Sequence, residues 1–168
     1  MKSRTDKVLL VLLALVFFLR VVFFVQFHAT PFYTHPILDA AIYDDAAKQV
    51  ATGNLIQDRA FFMSPMYPFL LGGLYRLFGP GPASPRIFQM LLGLVACGLI
   101  FIYTGRIADR WTALITAGLY AFYAPILFYE QTLLMESSMA FAVILFMFIL
   151  YLSMGSRRPG WASVQESF

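Results

Sequence analysis

The stretch SPMYPFLLGGLYRLFG, residues 64–79, decides where everything after it lies. As a membrane-crossing helix it would put the basic loop at Arg106 and Arg110 outside and Glu136 inside, against the tendency of Lys and Arg to remain cytoplasmic. As a helix resting in the interface, it brings three basic groups to the cytoplasmic side together: Lys2, Arg4 and Lys7; Arg106 and Arg110; Arg157 and Arg158. The stretch is short, holds Arg76 near its end, and carries two prolines and two adjacent glycines, so it makes a poor lipid-spanning rod. The interfacial reading follows.

Outward from this stretch lie apolar runs of the length a bilayer needs, roughly 20 residues for about 30 Å of hydrocarbon. They occupy residues 8–27, 87–104, 111–129 and 137–154. With 60% hydrophobic and 12% charged residues and a mean hydropathy of +0.74, a soluble domain is excluded. The expected fold is all-α and polytopic, with about four transmembrane helices and both termini cytoplasmic. Residues 8–27 are too long for an ordinary signal-peptide core, and no convincing small-residue cleavage site follows, so the run is a retained helix.

Residues 28–85 then form a long first external loop, which must carry helices of its own. One follows Pro36, with Ile37, Leu38, Ala41, Ile42 and Ala46 at helical spacing and Gly53 as a stop; Asp39, Asp44, Asp45 and Lys48 are its polar members. The other is the opening stretch, with Ser64 as N-cap and Pro65 at the first helical position. Both are expected to be amphipathic and juxtamembrane. Residues 156–168 read as a short cytoplasmic tail.

Asp39 and Tyr43, four apart, share a helical face on which a carboxylate and a phenol could bind a metal, abstract a proton or hold a polar headgroup; the acids are equally the solvated side of an interfacial helix. Glu136 opens the fourth apolar run, where it is either a functional carboxylate or a partner for the helix dipole. Glu130 is expected to stay in water. Arg20, in the middle of the first run, must face protein, water or a lipid phosphate. Arg76 and Arg86 are surface anchors or contacts for an anionic headgroup, whose phosphate a guanidinium fits. His28 and His35 have no metal-ligand spacing, and Cys97 reads as a small core residue. The positive charges, net +3, are scattered at membrane boundaries, a pattern of insertion that argues against nucleic acid as a partner. No phosphate loop, Cys-x-x-Cys pair, nucleophile elbow or zinc-protease motif occurs, so any reaction would draw on a substrate already activated in the membrane.

Several elements, in order, carry a resemblance. They are Asp39-Ala40-Ala41-Ile42-Tyr43 in a long loop after the first span, running into Asp44-Asp45-Ala46-Ala47 and Gly53; Ser64-Pro65-Met66-Tyr67-Pro68, with Leu77-Phe78-Gly79 and Arg86 behind it; and an acid, Glu136, opening the fourth span. Together they resemble the C-type glycosyltransferase superfamily, in particular the lipid-linked-sugar transferases that include protein O-mannosyltransferases and bacterial aminoarabinose transferases. Ala40 stands where some members have a second acid.

The resemblance implies a polyprenyl-phosphate sugar as donor and an external active site, periplasmic if the membrane is a bacterial inner membrane. It implies Asp39 and Glu136 as catalytic residues that could also hold a divalent cation, and Tyr43, Arg76 and Arg86 as substrate-binding side chains. It covers nearly all of this chain but only the N-terminal part of a typical member, so residues 1–155 are expected to be the N-terminal part of a glycosyltransferase domain, whose C-terminal part would be a partner alongside membrane lipids. The alternative is a non-catalytic membrane subunit or lipid-binding scaffold.

Overall fold

The computed structural model describes residues 2–54 and 63–155, with side chains from Lys7 onward; among these residues the chain is α-helical with no strand. Arg157, Arg158 and the expected tail lie outside the described residues. Three helices are long and apolar enough to cross a membrane: α1 (Lys2–His28), α4 (Ala83–Ile107) and α7 (Glu136–Gly155). Two shorter ones, α5 (Arg110–Ala121) and α6 (Ala124–Gln131), meet at a 48° bend and are together apolar enough for a fourth, broken crossing or a re-entrant loop. The protein is therefore an integral membrane protein, all-α and polytopic.

The bend corrects the expectation of one continuous helix over 111–129. Pro125 lies in the first turn of α6; it has no N–H to bond back into α5, and its ring clashes with a continuing helix. At the other end of α5, Asp109 is a strong N-cap that accepts hydrogen bonds from the backbone N–H groups of Trp111 and Thr112 at 2.8 and 3.1 Å.

Between lipid tails and apolar side chains there is little hydrophobic driving force, so these helices associate through small residues that allow close approach. Ala113, Ala117 and Ala121 recur at helical spacing on α5 and are fully buried, and Val16 of α1 and Cys97 of α4 pack against Ala117 and Ala121. At the end of α4 nearest Asp109, Tyr103 meets Tyr151 of α7 edge to face, with ring centroids 5.4 Å apart.

A cap of two short helices, α2 (Asp39–Ala51) and α3 (Met66–Phe78), covers the opposite end. At 1.5 Å per residue, α3 is about 20 Å long and cannot cross the hydrocarbon core. Its N-cap position is Pro65, not Ser64, and no side chain caps it. Gly72 lets the two helices touch: a Cβ there would lie 2.5 Å from Val50 Cγ1 and 3.0 Å from the Ala47 carbonyl oxygen.

The buried face of α2 differs from the expected one. Ala40, Tyr43, Asp44, Ala46, Ala47 and Val50 point inward, whereas Ile37, Leu38 and Ile42 are exposed. Aromatic packing decides this. Tyr43 and Tyr67 meet edge to face at 4.9 Å, and Tyr75 donates a 2.6 Å hydrogen bond to Asp44 Oδ1, which draws Asp44 out of solvent. Lys48 closes the other Asp44 oxygen. The cap is fixed to the spans by Gln89 of α4, whose Nε2 lies 3.0 Å from Tyr67 Oη, 2.9 Å from the Leu134 carbonyl and 2.7 Å from Ser137 Oγ.

Candidate functional site

The end of α1, the start of α4 and the end of α6 converge beneath α2 around a cavity of about 380 Å³. Its walls are almost wholly apolar, formed by Phe27, Phe32, Leu38, Phe128, Leu133 and their neighbours, and two charged side chains line it: Asp39 and Arg86. Asp39 is the first residue of α2, where its carboxylate complements the helix dipole. Leu38, just before it, has φ 53° and ψ −132°, in the left-handed half of backbone space that a leucine avoids, and its side chain is 81% exposed. Such backbone strain costs on the order of 1–3 kcal/mol and persists only where the surroundings enforce it. Here it turns the chain abruptly into α2 at the cavity edge.

Arg86 is buried, which corrects its reading as a surface anchor. Its Nε donates to the Gln131 carbonyl at 2.6 Å, Nη1 to the Pro82 carbonyl at 2.6 Å and Nη2 to the Phe32 carbonyl at 3.3 Å. The guanidinium also stacks over Tyr33 and Phe27, with centroid distances of 4.6 and 5.3 Å. Among the described residues no carboxylate lies within ion-pair distance of it. A guanidinium removed from water and held by carbonyl dipoles, with no carboxylate in direct contact, favours an incoming anion.

The remaining expected site residues divide. Tyr43 shares the Asp39 face in sequence, but its phenol turns into the core, 2% exposed, with its hydroxyl 3.6 Å from Met135 Sδ. Burial raises its pKa, and the negative charges of Glu136 and then Asp39 add to the effect, so the phenol stays protonated and both carboxylates act on it. Glu136 is exposed at the first turn of α7 and is not part of the cavity lining. Arg76 is exposed in the last turn of α3, also outside that lining. Glu130 overturns the expectation that it stays in water: it is 1% exposed and accepts a 2.7 Å hydrogen bond from Arg20 Nη2.

Gln89 and the Arg20–Glu130 pair escaped the sequence reading as elements of this region. Each is a polar side chain inside or beside an apolar run, which is the signal that could have found them. Among the described residues no group of three or more His, Cys, Asp and Glu is placed to hold a metal ion.

No curated protein and no solved structure matches the chain. Residues 62–164, more than half of it, match the family model described as dolichyl-phosphate-mannose-protein mannosyltransferase. The match takes in α3, Arg86, the α6 wall of the cavity and Glu136, and begins after α2. With its membrane-spanning helices, the chain thus belongs to the dolichyl-phosphate-mannose-protein mannosyltransferase family, glycosyltransferases of the mannosyltransferase type.

Proposed function

We propose that this chain builds the donor end of a glycosyltransferase site that moves a sugar from a polyprenyl phosphate to an acceptor hydroxyl on the external face of the membrane. The observation that carries this reading is the pairing of Asp39 with Arg86 in one apolar-walled cavity. Apolar walls suit the isoprenoid, and the guanidinium, with no carboxylate bonded to it, suits the phosphate. Asp39 at the rim is the general base. It takes the acceptor hydroxyl proton as the new glycosidic bond forms, while the bond between the anomeric carbon and the phosphate oxygen breaks and its electron pair leaves on the polyprenyl phosphate.

Glu136 orients the acceptor. Asp39 and Glu136 suit a hard cation of the magnesium kind, which takes one or two carboxylates and completes its shell with water and substrate phosphate. Such an ion would offset charge developing on the phosphate. The positive-inside tendency favours a cap facing outward, which in a bacterium is the periplasmic side of the inner membrane.

Replacing Asp39 with Asn in the enzyme that contains this chain tests the reading: transfer should be lost with the membrane level unchanged. Full activity would reject it. A second reading, a lipid-binding scaffold, draws on Arg86 being already held by three carbonyls. It expects Asp39→Asn to be silent and Arg76→Ala to weaken lipid association. A transporter reading has little support, since inverted repeats carry breaks in matching halves, and the bend between α5 and α6 is the one bent pair among the described residues.

A further inference from the structure

Arg20 and Glu130 lie 110 residues apart in sequence and meet inside the membrane. Gly93 of α4 makes their meeting possible. A Cβ on that residue would stand 1.8 Å from Glu130 Oε1 and 2.9 Å from Arg20 Nη2, so any side chain would displace the pair. Three helices thus converge on one hydrogen bond.

A buried ion pair is weak evidence of stabilisation, because desolvation offsets its attraction. This one leaves Arg20 Nε, Arg20 Nη1 and Glu130 Oε2 without partners among the described residues, so it is an inefficient way to hold helices together. What it does specify is direction and length. The helix it grips, α6, is eight residues long, is bent away from α5, and has too few turns to fix its own tilt.

The residues beside and beyond Glu130 form one side of the cavity: Tyr129, Thr132, Leu133 and Leu134 line it, and the Gln131 carbonyl receives Arg86 Nε. Arg86 is therefore placed by a carbonyl adjacent to the gripped residue. We infer that Arg20 and Glu130, seated on Gly93, are positioning residues for the cavity: they set the height and tilt of α6, and so the place of its wall and of the Arg86 guanidinium. The inference rests on the cavity being the donor site only for its kinetic consequence; the geometric one stands by itself.

The decisive variant is the double change Arg20→Met with Glu130→Met, which keeps the volume nearly constant and removes both charges, an exchange that buried pairs tolerate well. Two readouts are taken. In proteoliposomes of the full chain carrying Cys97→Ala and Thr132→Cys, the rate of thiol labelling by a membrane-impermeant maleimide reports the cavity wall. In the active enzyme, KM for the polyprenyl-phosphate sugar is compared with kcat.

Positioning predicts a normal membrane level, an altered labelling rate, and a KM raised by roughly tenfold to a hundredfold with kcat much less affected. A pair that served only as glue would give wild-type labelling and wild-type KM in the double variant, and that result overturns the inference. If the double variant fails to reach the membrane, Glu130→Asp, which shortens the carboxylate by one methylene, takes its place under the same criteria. Altered labelling with no transfer activity in any version, wild type included, would sink the donor-site reading and leave the positioning role standing.

Discussion

Asp39 and Glu130 are both carboxylates on short helices that border the same cavity, yet one opens α2 at the rim and the other is sealed in the membrane against Arg20. Asp39 is exposed and has no ion-pair partner among the described residues, so its oxygens can meet a substrate. Glu130 has given one oxygen to a guanidinium and cannot reach the cavity without breaking that bond. What separates them is contact with a cation: α1 carries Arg20 to within 2.7 Å of Glu130, whereas Asp39 shares a cavity with Arg86 but forms no ion pair among the described residues. A carboxylate with no ion pair keeps its oxygens open to a ligand; one bonded to a guanidinium holds geometry.

Asp39 carries the largest expected effect. Asp39→Asn should lower sugar transfer by about 10²–10⁴-fold, the usual worth of a general base, without lowering membrane level. Transfer assays with a polyprenyl-phosphate sugar in proteoliposomes, alongside immunoblots of the membrane fraction, measure both. Glu130→Gln should act first on stability. It leaves Arg20 buried without a counter-charge and should cost about 3–5 kcal/mol of stability, read as a fall in membrane level and in the unfolding midpoint in detergent.

The ties between cap and spans sharpen the contrast on a smaller scale. Gln89→Leu removes the contacts to Tyr67, Leu134 and Ser137 and should cost about 1–3 kcal/mol, seen as a lower midpoint in the same unfolding experiment. Smallest is Lys48→Met. The hydrogen bond to Asp44 is the main cause that raises the pKa of Lys48, so its contribution is fully present below the ordinary lysine value of 10.5 and is lost as the pH rises beyond it, through the raised folded value. Because Lys48 is half exposed and screened, the effect should stay below about 1 kcal/mol. The midpoint difference between wild type and variant should be flat from neutral pH to about 10, then shrink.

The membrane character of the chain and the shortness of α3 could be read from local sequence because each depends on run length and on residues a few positions apart. Residues 64–79 show it: proline, glycine and Arg76 in a short apolar stretch leave no spanning helix. The face of α2 could not be read this way. Ile37 and Leu38, just before it, and Ile42 gave the expected periodicity, but Tyr43 and Ala47 are the ones that pack against Tyr67, Leu71 and Tyr75, partners that only α3 supplies.

The same limit hid the fate of Glu130. Its sequence neighbours resemble a boundary, and its partner lies more than a hundred residues away. Asp39 and Arg86 could each be singled out as chemistry-bearing residues, but their sharing of one cavity depends on the turn at Leu38 and on the Gln131 carbonyl, which no spacing encodes.

Asp39 and Glu136 are expected to open to the same side of the membrane, opposite Asp109. Single cysteines placed at 39, 109 and 136 in a Cys97→Ala background, labelled in intact cells with an impermeant maleimide, test it directly. Positions 39 and 136 should label from outside, and position 109 only after permeabilisation. Labelling of 109 from outside with 136 protected would contradict the account.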